Sequence, residues 1–222
     1  MFRPKTPSRG FRLVWVATLA LVASIATVTV AAATEPPLPT PEALPADVVV
    51  FVAHVPSRLG RLTRAEFQRA LVQAAVQAGR SSAPGPDAKD YPRIANRALG
   101  ERLDAIWIQG QAREMGIGVR PREISRELAH LKKEAFENEA QYRRFLRQAR
   151  FTNRDVRERV KLQILSEKIQ VRIVFGLSEA EAQRAFSRFL KEYKARWQGR
   201  TVCAPGYVTV RCSNGGPAPA GP

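Results

Sequence analysis

The chain has 222 residues, a formal net charge of +16 from 36 basic and 20 acidic side chains, and 45% hydrophobic residues. That length suffices for one modest domain with appendages and excludes two large cores. The basic excess would suggest nucleic acid in a cytosolic protein, but the opening segment argues for another address.

Residues 1–12, MFRPKTPSRGFR, form a basic cytoplasmic n-region with Arg3, Lys5, Arg9 and Arg12 and no acid. Residues 13–33 carry no charge; at about 1.5 Å per residue the run spans roughly 31 Å, enough to cross a bilayer core. No Lys or Arg follows until Arg58, so the positive-inside rule puts the N-terminus in the cytoplasm and the bulk outside. The run fits a transmembrane anchor in a bacterial membrane. Ala31-Ala32-Ala33 also fits the cleavage site of a signal peptide, giving a secreted form. Without the four leader charges the exported part carries 16 − 4 = +12. An extracytoplasmic address ends the nucleic-acid reading.

Residues 34–46 are a proline-rich linker, whose stretch from Thr34 to Pro45 is expected to be extended and to reach roughly 37 Å at about 3.1 Å per residue. Asp47 to Val55, DVVVFVAHV, is a β-branched run suited to a buried strand. Thr63 with Glu66 reads as a capping box opening a helix that ends at Gly79. Pro92 starts a long helix reaching about Met115, with Gly100 weakening its middle. Pro121 starts a third through about Glu134, and Asn138 with Gln141 caps a fourth. Thr152 with Asp155 opens a fifth helix, apolar on about half its circumference, whose charged residues form a solvated face. Ser178 with Glu181 caps the last, over residues 176–200. Its Phe186, Phe189, Tyr193 and Trp197 form an aromatic stripe expected to dock as core.

Residues 201–222 are a tail. Cys203 and Cys212 are expected to pair as a local disulfide in an oxidising compartment, Tyr207 to Val210 to form a short strand, and the end from Asn214 to be disordered. The fold class is mostly α: a single helical domain of about six helices with one or two short strands, its main body over 47–175.

The order of these motifs resembles the N-terminal domain of SurA/PrsA-type extracytoplasmic chaperones. The resemblance rests on Glu114 to Ile117, Glu123-Ile124, Tyr142 to Leu146 and Thr152 to Val156, and covers Asp47 to Ile169. The segment FSRFLKEYKARWQGRTVCAPGYVTVRCSN is similar to the closing helix and cysteine-bearing tail of membrane-attached bacterial members. In those, the resemblance implies a parvulin-type prolyl isomerase domain between the long helix and the closing one. Here VRIVFGLSEAEAQ joins the two directly, which removes the usual catalytic module.

The resemblance implies a trigger-factor-like helical fold and ATP-independent, non-catalytic binding of unfolded or nascent exported polypeptides. Such binding needs exposed apolar patches edged by polar groups; the candidates are Trp107, Met115, Phe136, Tyr142, Phe145 and Phe151. No catalytic, cofactor-binding or metal-binding residue is assigned, and no cofactor is expected. His54 and His130 read as surface or packing residues, and Gly116-Ile117-Gly118 as a helix stop. One alternative is a basic envelope protein binding anionic lipid or cell-wall polymer, motivated by Arg143, Arg144, Arg147, Arg150, Arg154 and Arg157. Another is residual prolyl isomerase activity, for which the sequence supplies no site.

Overall fold

A computed structural model describes residues 37–215. The expected n-region, the apolar run at 13–33, the first linker residues and the extreme C-terminus lie outside them. A 3₁₀ turn, Pro41–Ala43, winds part of the linker that was expected to be extended. Two short strands follow, β1 (Val48–Val52) and β2 (Arg61–Thr63), and then α1 (Arg64–Gln77) and α2 (Tyr91–Glu114). The helices α3 (Pro121–Ala135), α4 (Glu139–Gln148), α5 (Asn153–Val174) and α6 (Glu179–Gly199) precede a last strand, β3 (Thr201–Cys203).

Local chemistry sets the helix starts. The Thr63 hydroxyl accepts from the Glu66 amide while the Glu66 carboxylate accepts from the Thr63 amide, closing the reciprocal box. The same exchange joins Thr152 and Asp155. The Asn138 side chain accepts from the Gln141 amide, and the Glu181 carboxylate accepts from the Ser178 amide. Each bond satisfies an amide that a helix end would otherwise leave open.

The sheet has the order β2-β1-β3, antiparallel throughout. Val50 and Phe51 pair with Cys203 and Val202 on one edge, and with Leu62 and Arg61 on the other. The N-terminal strand is therefore central, flanked by the strand that follows the last helix. Tyr207 to Val210 do not form the expected strand; the extended segment is Thr201–Cys203. The pairing groups of β3 lie earlier in the tail, whereas residues 207–209 form no regular structure and a turn begins at 210.

The main core lies between this sheet, α1 and α2. It contains Val49, Val50, Val52, Phe67, Leu71, Ile94, Leu99, Leu103, Trp107 and Trp197. A smaller cluster of Ala112, Leu165 and Ile169, with Met115, Ile117 and Phe189 against it, joins the far end of α2 to α5 and α6. Thus α2 is the spine shared by both clusters. Among the described residues no helix is long and apolar enough to cross a membrane.

The tail is pinned, not loose. Cys203 and Cys212 form a disulfide. Asn214, where a disordered end was expected, accepts from the Cys203 amide at 3.2 Å and donates to the Cys203 carbonyl at 2.9 Å, so its amide group stands in for a neighbouring strand. Arg211 donates to the Gly100 carbonyl at 2.9 Å and pairs with Asp104. The tail's guanidinium packs on α2 at Gly100, where a Cβ would lie at an ordinary contact distance of 3.5 Å from Arg211 Cζ.

Candidate functional site

Among the described residues, two places on the helices present large apolar side chains to solvent, besides Val208 and Val210 in the tail. The first is α4 with its flanks. Phe136, the residue that ends α3, packs against Tyr142 at 5.3 Å between ring centroids and against Phe145 at 5.4 Å; Phe145 meets Phe151 at 6.1 Å. Tyr142 and Leu146, one helical turn apart, turn inward. Phe145 is 37% exposed.

Four of the six residues expected to bind polypeptide therefore meet in one aromatic group, with Phe145 exposed, Phe136 and Phe151 half-buried and Tyr142 buried. The other two do not join it. Trp107 is core, its Nε1–H donating to Thr201 Oγ1 at 2.9 Å and its ring edge-on to Tyr193. Met115 packs in the smaller cluster. Tyr142 supports this group from beneath: it is buried, its hydroxyl donates to Asn153 at 2.9 Å, and Lys132 sits 4.2 Å over its ring. Burial raises the pKa of this phenol, with Lys132 opposing the rise. Helical spacing places a residue on a face but does not say which neighbour covers that face.

The second place is the connection between α5 and α6. Val171 is 59% exposed, Phe175 82% and Leu177 41%. The turn reverses at Gly176, whose φ of +76° suits a residue without a side chain. These residues were not among the candidates. The signal was legible as VFGL between two helical segments, an apolar run where a short helix connection is ordinarily polar.

From this tip an aromatic series runs inward along α6. Phe186 stacks on Phe189 at 6.3 Å, Phe189 on Tyr193 at 5.6 Å, and Tyr193 meets Trp107 at 6.1 Å. Of the expected aromatic core of the closing helix, Trp197 is buried, and Tyr193 and Phe189 are half-buried and pack against the main and the smaller cluster; Phe186 is half-buried and belongs to neither. The main neighbour of α6 is α5, and the three half-buried rings keep part of their surface in solvent. Burial pushes the Tyr193 phenol pKa up, with Asp104 adding to the effect.

Polar concavities have a different character. An open depression of about 620 Å³ is lined by Gly118, Val119, Arg120, Glu123, Arg126 and Lys168. Lys168 donates to Glu123 at 2.5 Å and the Arg120 amide donates to it at 2.8 Å; these two contacts, in that order, hold the Glu123 carboxyl below its ordinary range. His54 sits in the turn after β1 at φ 64°, and His130 on α3 contacts Glu134 at 3.3 Å. Among the described residues no group of His, Cys, Asp and Glu could hold a metal ion.

No curated protein and no solved structure matches the chain. The family model described as the SurA-like N-terminal domain matches residues 12–170. That span takes in β1, the whole helical series through nearly all of α5, and the aromatic surface on α4; α6, β3 and the disulfide lie beyond it. A match over well more than half of the length, on a body whose first five helices stand in the expected order, settles the kinship: the chain belongs to the SurA-like N-terminal domain family.

Proposed function

We propose that this protein holds unfolded or nascent exported polypeptides outside the cytoplasm, without ATP and without catalysis. The observation that carries the reading is the 82% exposure of Phe175 at a tight turn, beside Val171 and Leu177. A large ring left in water at a fixed position gains by covering itself with any apolar segment that arrives, which gives broad and reversible capture. The half-open stripe of Phe186 and Phe189 extends the tip as a contact surface for a chain longer than a few residues.

Family membership supports the chaperone class. The non-catalytic reading is supported by the junction itself: α5 ends at Val174 and α6 begins at Glu179, at the place where the resemblance puts an isomerase domain. The basic leader and uncharged run at 13–33 support an extracytoplasmic location, reached through an anchor or a signal peptide.

The test is suppression of aggregation of a cysteine-free protein diluted from denaturant, so that the disulfide of the chaperone is left intact. The full chain is expected to reduce light scattering at equimolar or modest excess. Unchanged scattering at several-fold excess would sink the reading.

A further inference from the structure

The stretch from Glu139 to Arg159 has an unusual distribution of charge partners. Its acids are all engaged: Glu139 with Lys132, Asp155 in the cap of α5 with Thr152, and Glu158 with Lys161. Among its bases, Arg159 pairs with Glu101 and Arg157 donates to Ser125. Arg143, Arg144, Arg147, Arg150 and Arg154 are exposed, and among the described residues none of them has a carboxylate partner.

The chain is rich in arginine throughout, and elsewhere some guanidinium groups find acids: Arg80 pairs with Asp90, Arg97 with Glu101, Arg196 and Arg200 with Glu114, and Arg211 with Asp104. What sets α4 and the start of α5 apart is density: five exposed arginines without a carboxylate partner among the described residues lie between Arg143 and Arg154, an arrangement that favours an external polyanion.

Two features choose among polyanions. The cations are arginines, whose planar fork matches phosphate oxygens in pairs and sheds water more readily than an ammonium. Between Arg144 and Arg147 stands Phe145, partly exposed on a helix whose Tyr142 and Leu146 are buried. An aromatic ring among arginines suits the boundary between headgroups and acyl chains. The uncharged run at 13–33, read from the sequence as a membrane segment, precedes the body by a short proline-rich linker part of which is wound into a 3₁₀ turn. A leaflet is then the polyanion within tether range.

We propose that the arginine face of α4 and the α4–α5 turn docks on a bilayer rich in anionic phospholipid, with Phe145 entering the interface. This surface is separate in sequence from the exposed tip at 171–177 and does not rest on polypeptide binding there.

The test uses the full chain with vesicles of neutral phosphatidylcholine, or of the same lipid with a third phosphatidylglycerol, read by amide hydrogen exchange. Amides of 139–150 are expected to exchange at least several-fold more slowly with the anionic vesicles. The difference should vanish at high salt, because it is electrostatic. The triple variant Arg143→Gln/Arg144→Gln/Arg147→Gln should weaken binding on the order of a hundredfold, at about fivefold for each charge near an anionic surface. Unaltered exchange in the α2 core shows that the variant is folded. Equal exchange in both lipids overturns the proposal, as does an anionic effect that the variant retains. Protection that appears only with an added acidic polypeptide overturns it too, and reassigns the face to a protein partner.

Discussion

Trp197 seats its indole on the bare backbone of Gly110: a Cβ on that glycine would lie 2.2 Å from Cη2 of the ring and 2.8 Å from Cζ3. The ring is held there by its Nε1–H, which donates to Gln111 Oε1 at 3.1 Å. Through this contact the last helix is fixed to the spine helix, and β3 is delivered to the sheet.

Gly110→Ala therefore sets two effects against each other. Alanine improves helix propensity by about 1 kcal/mol, but no atom fits between α2 and the indole. Overpacking of this kind costs about 1–3 kcal/mol, and the glycine is expected to be the more stable residue. Urea denaturation of wild type and variant decides it; a gain in midpoint would refute the contact.

Thr201 is buried between two tryptophans. Its hydroxyl accepts from Trp107 Nε1 at 2.9 Å and donates to the Trp197 carbonyl at 2.7 Å. Thr201→Val keeps the shape and strands both groups, for an expected loss of about 1–3 kcal/mol. The same denaturation measurement tests it, with tryptophan fluorescence reporting the altered indole environment.

The Cys203–Cys212 bridge closes a short loop that anchors β3. Loop-closure entropy gives about 2.5–3 kcal/mol for it. Reduction, or Cys203→Ala with Cys212→Ala, is expected to lower the midpoint of thermal unfolding by calorimetry. An unchanged midpoint would mean that the tail's other bonds, from Asn214 and Arg211, suffice.

Acid sensitivity should trace to two helix starts. Glu123 is held low by the Lys168 hydrogen bond first and the Arg120 amide second, and Glu181 by the Ser178 hydroxyl first and its amide second. Both ordinary values are 4.5. Unfolding raises these pKa values, so the unfolded chain binds more protons as acid is added. The stability they supply is present above the ordinary value and lost as pH falls through the lower folded one. Glu123→Gln with Glu181→Gln is expected to flatten the stability profile between about pH 5 and pH 3. A profile as steep as wild type would place the acid response elsewhere.

The exposed tip makes a prediction of the opposite kind. Val171→Ser, Phe175→Ser and Leu177→Ser together remove apolar surface that supports no core, so stability should shift by about 0.5 kcal/mol or less per site. Aggregation suppression should fall several-fold in the same variant. Full activity in the variant would move the binding surface to the aromatic group on α4.

The helices were legible because their caps are local chemistry. Thr63, Asn138, Thr152 and Ser178 each mark a start that depends on the next few residues alone. The strands were less so. Arg61–Thr63 and Thr201–Cys203 are three-residue segments that exist only because Val48–Val52 lies between them, and such long-range pairing leaves little local trace. Trp107 and Tyr142 were assigned to a surface because an amphipathic pattern identifies an apolar face without naming what lies on it. Phe175 was passed over for the complementary reason: it belongs to no face, only to a turn.

The placement of β1 between β2 and β3 bears on how the chain is made. Val50 must wait for Cys203 to complete its ladder, so a polypeptide emerging amino end first offers one open strand edge until Thr201–Cys203 have appeared. Synthesis would then deliver an adhesive intermediate that seals itself only when β3 joins, and a truncation before Thr201 would leave that edge permanently available for pairing with a neighbour.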